Sequence, residues 1–348
     1  MGRLLPLTTQ DFFKQSTELI EGIDTAKIQC LASSMELSNF CYLQSGYVRF
    51  FDRFNDSRTT RKIPRVNVVG LSKTCQFFAT HEETEYTKTT HIRIFECGKT
   101  GSRLSTPSIQ EGNKPLKTMT HKEPVTDIVF GDVHENSMFT FSQDGIAIFW
   151  AFESNRKKLG FSDQSELKPR ELFAVNKKGS IARGQCFGIS PSDEHVVIAS
   201  STNLAVWFRE TKAKKQTIHK KPKMFEVKYE PEKICVQHRH IICRSQDGIE
   251  KYTVHGNFLK VWKKKEPQGF IADQLEVIDG KLVATTTSGG ITVLTMNLDF
   301  VAFIPCSTKL IKSSLDTLLI VMDESNAIRA VTMDNIRILE AITHNKRR

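Results

Sequence analysis

The chain lacks most of what would assign it a chemistry or a membrane span. No run of about 18 apolar residues occurs in its 348 residues, so no transmembrane helix is expected. Met1 to Asp11 does not show the basic-then-apolar order of a secretory signal. The eight cysteines include no Cys-x-x-Cys pair, and most lie in apolar, strand-like runs: Cys30, Cys41, Cys75, Cys186, Cys235 and Cys243. That scatter fits buried free thiols in a reducing cytosol better than a disulfide framework. There is no Gly-x-Ser-x-Gly elbow, no phosphate loop and no His-Glu-x-x-His pair. Ser288-Gly289-Gly290 has no helix after it and reads as a strand turn. The expectation is a protein that is not an enzyme and has no cofactor or metal. Hydrophobic content of 39% and charged content of 25% are ordinary for a globular domain. The formal charge of +10 points to acidic partners or membrane surfaces without choosing between them.

What is present is a repeating β pattern, clearest from His121 to Trp150. Val125 to Phe130 alternates, with Val125, Ile128 and Phe130 available for burial. Met138 to Ser142 is a second strand, Gln143-Asp144-Gly145 a tight turn, and Ile146 to Trp150 a third strand with Ile146, Ile148 and Trp150 in phase. A His before the first strand, an Asp in the second hairpin and a Trp six residues later have the spacing of a WD40 repeat. Ala151 stands where the signature ends in Asp. In this pattern His121, Asp144 and Trp150 are structural, and Asp144 is expected to accept a hydrogen bond from His121.

The first apolar residue after each second hairpin turn marks the repeat: Tyr47, Ile92, Ile146, Leu204, Ile249, Ile291 and Ile328. Their separations of 45, 54, 58, 45, 42 and 37 residues bracket a WD40 blade of about 40–45. Seven units predict an all-β, seven-bladed WD40-like β-propeller, because a lone blade cannot bury both faces. The reading makes 1–342 one propeller, closed by an outer strand from 4–13 or 336–342, with 343–348 a basic tail. Ser154 to Pro169 reads as a polar excursion before an outer strand at Glu171 to Val175. Val301 to Ile304 is assigned to the last unit.

Three constellations could carry chemistry. Cys235, His238, His240 and Cys243 have the look of four zinc ligands. Ile234, Val236, Ile241 and Ile242 instead make this a hairpin with His238-Arg239-His240 at its tip, giving buried thiols and exposed imidazoles. His121 with Asp144 could be a catalytic dyad, but the repeat position makes it a blade tie. Lys177 and Lys178, then Lys220, Lys221 and Lys223, then Lys263, Lys264 and Lys265 fall in three successive linkers between blades. They predict a basic arc for an anionic surface. Nucleic acid is disfavoured, because the clusters are rich in Lys with few interleaved aromatics.

Three stretches also resemble a known family. They are Phe77-Phe78-Ala79-Thr80-His81-Glu82-Glu83 with Ile92-Arg93-Ile94-Phe95, then His121 to Phe149, and then Arg183 to Phe208 with Cys186 and Ser190-Pro191-Ser192. Each is similar to the N-terminal propeller of the vacuolar protein sorting protein eleven family, over roughly Cys30 to Leu339. That family supplies a core subunit of the HOPS and CORVET tethering complexes and continues into an α-helical solenoid and a RING. The resemblance implies a scaffold in vesicle tethering, cytoplasmic and peripheral on endosome, lysosome or vacuole membranes. Tethering subunits and SNARE or Rab proteins would be its partners. The alternative is a general WD40-like adaptor, for example in ubiquitin ligation or ciliary transport.

Overall fold

Alternation of apolar residues decides both faces of each blade. In the third blade Met138, Ile146, Ile148 and Trp150 pack toward one neighbour, while Phe139, Phe141, Ala147, Phe149 and Ala151 pack toward the other. Every second residue of a strand points to the same side, so a strand buried on both sides is mainly apolar, and its polar side chains need partners inside. The Ser137–Ser142 strand is buried along its whole length.

A computed structural model describes residues 17–20, 22–34, 39–52, 57–62, 66–75, 77–83, 90–96, 115, 117–121, 123–131, 137–155, 158–167, 186–191, 194–212, 215–218, 221–263, 274–287, 290–314, 316–322 and 326–334. It contains seven small antiparallel sheets and is a seven-bladed β-propeller. Strand β1 is Thr17–Ile20. Blade 1 comprises β2 (Ile28–Ser33), β3 (Asn39–Gln44), β4 (Tyr47–Asp52) and β5 (Ser57–Lys62). Blade 2 comprises β6 (Val66–Leu71), β7 (Phe77–Glu83), β8 (Thr90–Glu96) and β9 (Lys117–His121). Blade 3 comprises β10 (Val125–Phe130), β11 (Ser137–Ser142), β12 (Ala147–Asn155) and β13 (Lys158–Leu167). Blade 4 holds β14 (Cys186–Ile189), β15 (His195–Ser200) and β16 (Asn203–Lys212). Two strands share the outer edge of β16: β17 (Lys215–Ile218) pairs with its end and β18 (Lys223–Glu226) with its start. Blade 5 comprises β19 (Lys233–Gln237), β20 (His240–Ser245), β21 (Gly248–Thr253) and β22 (Phe258–Trp262). Blade 6 comprises β23 (Leu275–Ile278), β24 (Leu282–Thr287), β25 (Gly290–Thr295) and β26 (Phe300–Pro305). Blade 7 comprises β27 (Thr308–Ser314), β28 (Thr317–Met322) and β29 (Ala327–Thr332), with β1 as its outer strand.

Each seam between neighbouring blades has its own apolar cluster, from Leu43 and Phe78 between blades 1 and 2 round to Tyr42 and Leu319 between blades 7 and 1. The ring is therefore held by seven separate cores rather than one. The seams are tightest at the innermost strands. A Cβ on Gly70 would lie 2.7 Å from Ile128 Cγ2, and one on Gly188 would lie 2.9 Å from Ile234 Cγ2, so only glycine fits. Buried thiols bind some seams as donors. Cys30 Sγ donates to the Val69 carbonyl, Cys186 to Pro231 and Cys235 to Leu275.

Several expectations about outer strands are corrected. The ring is closed by Thr17–Ile20, which pairs with β29; residues 4–13 and 336–342 lie outside the described residues, as do 343–348. The polar excursion after Ser154 contains strand β13, which pairs antiparallel with β12, and 171–175 lie outside the described residues. Phe300–Pro305 pairs with β25, so it ends blade 6, and Thr308–Ser314 opens blade 7. An edge strand is paired on one side only and can be polar, so apolar alternation does not reveal β13. Phe300–Pro305 is apolar and visible, but alternation does not say which blade a strand joins.

Candidate functional site

The blade 3 turn was expected to be tied by His121. Its carboxylate has other partners. Ser142 Oγ donates to Asp144 Oδ1 at 2.5 Å, and the Ile146 N–H donates to the same oxygen at 3.4 Å. Gly145 takes φ 77, and Ser142 and Ile146 face each other across the three-residue loop. That is the loop in which a residue in the left-handed region closes the hairpin. A short side chain that bonds its own turn satisfies the carboxylate locally, so His121 is not needed for it. His121 ends β9, is buried, and stands beside His81 of β7, whose Nε2 accepts from the Val125 N–H at 3.4 Å. Burial first, and the neighbouring His121 ring second, lower the His81 pKa to about 4. The indole of Trp150 donates to Thr140 Oγ1 at 3.0 Å in the interior of the blade. Thr140, Ser142 and His81 were missed in the sequence. Thr140 and Trp150 could have been linked by strand register, because Thr140 lies two residues from Met138, the cross-strand partner of Trp150.

The hairpin with four metal-like ligands separates them. Cys235 pairs with Ile242, while Ile234 pairs with Cys243, so the two thiols point to opposite faces of blade 5. Cys235 reaches the Leu275 carbonyl of blade 6, whereas Cys243 packs in the seam toward blade 4. Burial pushes the Cys235 thiol up to about 12 and Cys243 well above its ordinary value, so neither is a ready thiolate. Among the described residues no group of three or more His, Cys, Asp or Glu is placed to hold a metal ion.

The lysine arc is also redistributed. Lys177, Lys178, Lys220, Lys264 and Lys265 lie outside the described residues. Lys221 and Lys223 are exposed, but Lys223 starts β18 opposite Val206. They therefore precede the outer strand of blade 4 rather than linking it to blade 5. The linker itself runs from Val227 to Glu232. Only Lys263 of the three described lysines keeps its expected place, after β22. Its ammonium lies 5.5 Å from the Tyr229 ring, with Lys228 at 5.2 Å from the same ring.

A further polar assembly lies on the axis. The seven innermost strands, β2, β6, β10, β14, β19, β23 and β27, all line one cavity of ≈ 440 Å³. Among the described residues, four charged side chains line it: Asp127, Lys233, Glu276 and Lys312. Glu276 is fully engaged. It accepts from Lys312 Nζ at 2.9 Å, from the Ser313 N–H at 3.2 Å and from the Ser313 hydroxyl at 2.7 Å. That pairing raises the Lys312 pKa. At one end of the axis, Lys73 reaches past blade 3 to the Pro191 carbonyl of blade 4, at 2.6 Å.

No family model matches the chain, and no curated protein does. Solved structures do match. The β-propeller domain of Cps50 (Swd1) from Myceliophteria thermophila superposes with TM-score 0.63 at 8% identity, covering 90% of this chain and 98% of that one. Hsv2 from Kluyveromyces marxianus gives TM-score 0.57 at 10% identity, over 87% of this chain and 92% of its own. Hsv2 from Kluyveromyces lactis gives 0.57 at 9%, over 85% and 90%. At such identity the likeness shows the fold: a WD40-like propeller. Among the described residues no helix is long and apolar enough to cross a membrane.

Proposed function

We propose that the chain is a non-catalytic interaction propeller, serving as the propeller part of a tethering subunit in endosome, lysosome or vacuole traffic. The observation that carries the scaffold reading is the use of its polar side chains. Of the residues with catalytic or metal-binding appearance, Asp144 is spent on its own turn and the Cys235 thiol on a seam. A rigid ring with loops on two faces then suits docking rather than chemistry. The tethering reading is supported by where the family-like stretches fall. They are the β7–β8 hairpin, most of blade 3 and the inner part of blade 4, which form one contiguous arc of the ring. In this reading Lys221, Lys223 and Lys263 contribute peripheral contact with anionic lipid, each lysine near such a surface adding about 1 kcal/mol.

Proximity labelling of the full chain in cells tests it. The expected result is enrichment of endosomal or vacuolar tethering subunits, SNAREs or Rab proteins. Reversing the charge of the three lysines should reduce organelle enrichment while leaving the unfolding midpoint unchanged. Enrichment of ubiquitin-ligase or ciliary components instead would move the protein to the general adaptor class.

A further inference from the structure

The axial cavity contains a second pair of opposite charges that is not joined. Lys312 and Glu276 neutralise one another, but Asp127 and Lys233 form no ion pair among the described residues. The two are still near enough that Lys233 acts on the Asp127 carboxyl, which burial pushes up and Lys233, Lys312 and a hydrogen bond from Thr126 pull back down. An anion and a cation that face one cavity without meeting leave a gap that a dipolar molecule would fill. The remaining wall is mixed: Gln29, Asn67, Thr126 and Gln274 line it beside apolar side chains. Val129 is 39% exposed although it sits on an innermost strand, and Phe187, Ile189 and Leu310 also line the space. Ligand cavities typically measure about 300–1,000 Å³, a range that includes this one.

We propose that the axial cavity binds a small zwitterion with an apolar body, of the class of leucine and phenylalanine, its carboxylate on Lys233 and its ammonium on Asp127. The apolar body would lie against Val129, Phe187 and Leu310. Binding would thus place a small molecule at the centre of a scaffold and stabilise the ring by mass action. This inference is independent of the tethering reading, because it concerns the axis and not the partners of the outer surfaces.

Isothermal calorimetry and thermal unfolding of the full chain test it with L-leucine and L-phenylalanine as probes. Two controls each lack one charge: 4-methylpentanoate, without the amine, and 3-methylbutylamine, without the carboxylate. The expected result is a raised unfolding midpoint and measurable heat with the amino acids, at least tenfold weaker with either control. Lys233→Met and Asp127→Asn should each lose the preference for the zwitterion by a similar factor. Lys233 is half-exposed and makes no ion pair among the described residues, so Lys233→Met keeps the test open if Asp127→Asn folds poorly. Equal binding of leucine and 4-methylpentanoate overturns the proposal, as does affinity weaker than about 1 mM for both amino acids.

Discussion

The same four residues build two different turns in this ring. Ser142-Gln143-Asp144-Gly145 in blade 3 and Ser245-Gln246-Asp247-Gly248 in blade 5 are identical in sequence. In blade 3 the loop has three residues, Gly145 lies inside it, and the Asp144 carboxylate takes two hydrogen bonds. In blade 5 Ser245 pairs directly with Gly248, the loop has two residues, and the glycine is the first residue of β21. There Ser245 Oγ accepts from the Asp247 N–H at 3.3 Å, and Asp247 is exposed. The third strand is thus shifted by one residue between the two blades. The cause lies outside the tetrapeptide. In blade 5 the end of β22 passes so close that a Cβ on Gly248 would lie 2.3 Å from the Trp262 carbonyl oxygen. Only glycine can occupy the strand there, and this draws Gly248 out of the loop. Turn type here follows the packing of the neighbouring strand, not the local sequence.

Gly248→Ala should give the largest effect. The new Cβ meets backbone rather than a movable side chain, at φ 150, a conformation L residues avoid. The expected loss is about 3 kcal/mol or more, from overpacking and strain together. Gly145→Ala, at φ 77, should lose only about 1–2 kcal/mol. Urea unfolding of the two variants side by side measures this. Equal losses would remove the close approach of β22 as the reason for the different turns.

The start of blade 3 is held by an imidazole, and the start of blade 5 by a thiol. His81 Nε2 accepts from Val125, the first residue of β10, whereas Cys186 Sγ donates to Pro231 ahead of β19. The His81 pKa falls from its ordinary 6.5 to about 4, so as pH drops the unfolded chain takes up the proton first. Stability from neutral His81 is complete above pH 6.5 and is lost progressively between 6.5 and about 4, amounting to at most about 3 kcal/mol. The groups beside it are His121, whose charge would add to the loss, and Glu82, which is paired with Arg93 at 3.0 Å. The Cys186 thiol, pushed up to about 12 by burial, remains neutral throughout that range. Unfolding midpoints of wild type and His81→Gln from pH 7 to pH 4 should converge as acid removes the wild-type advantage. Parallel curves for the two proteins would count against a neutral His81 as the acid-sensitive tie.

Much of the ring was legible because its inner strands are buried on both faces. Seven marker residues, from Tyr47 to Ile328, each fall on or beside the third strand of a separate blade. Ile146, Ile148 and Trp150 share a seam as their spacing requires. What stayed hidden had no apolar signature. Strand β13 is polar, and β1 is four residues long and distant in sequence from its partner β29. The axial cavity was hidden for a related reason. Asp127, Lys233, Glu276 and Lys312 stand on four different strands far apart in sequence, and only ring closure brings them together. The Ser142 partner of Asp144 was not legible, because a repeat position indicates which residue matters but not which atom satisfies it.

Asp144→Ala and Asp247→Ala should give the smallest effects and divide the two turns most sharply. The Asp144 carboxylate is half-buried and accepts from a hydroxyl at 2.5 Å and an amide at 3.4 Å. Hydrogen bonds to a charged group contribute about 1.5–3 kcal/mol, and partial exposure places this one near the lower end. Asp247 uses its backbone N–H in the turn, which alanine retains, so its loss should stay within about 0.5 kcal/mol. A double-mutant cycle then identifies the partner. Ser142 and Asp144 touch and should show a coupling of about 0.5 kcal/mol or more, whereas His121 and Asp144 should be additive. Coupling with His121 and none with Ser142 would restore the blade tie expected from the repeat. Equal losses at Asp144 and Asp247 would mean that the two turns, however different in register, draw the same stability from their aspartates.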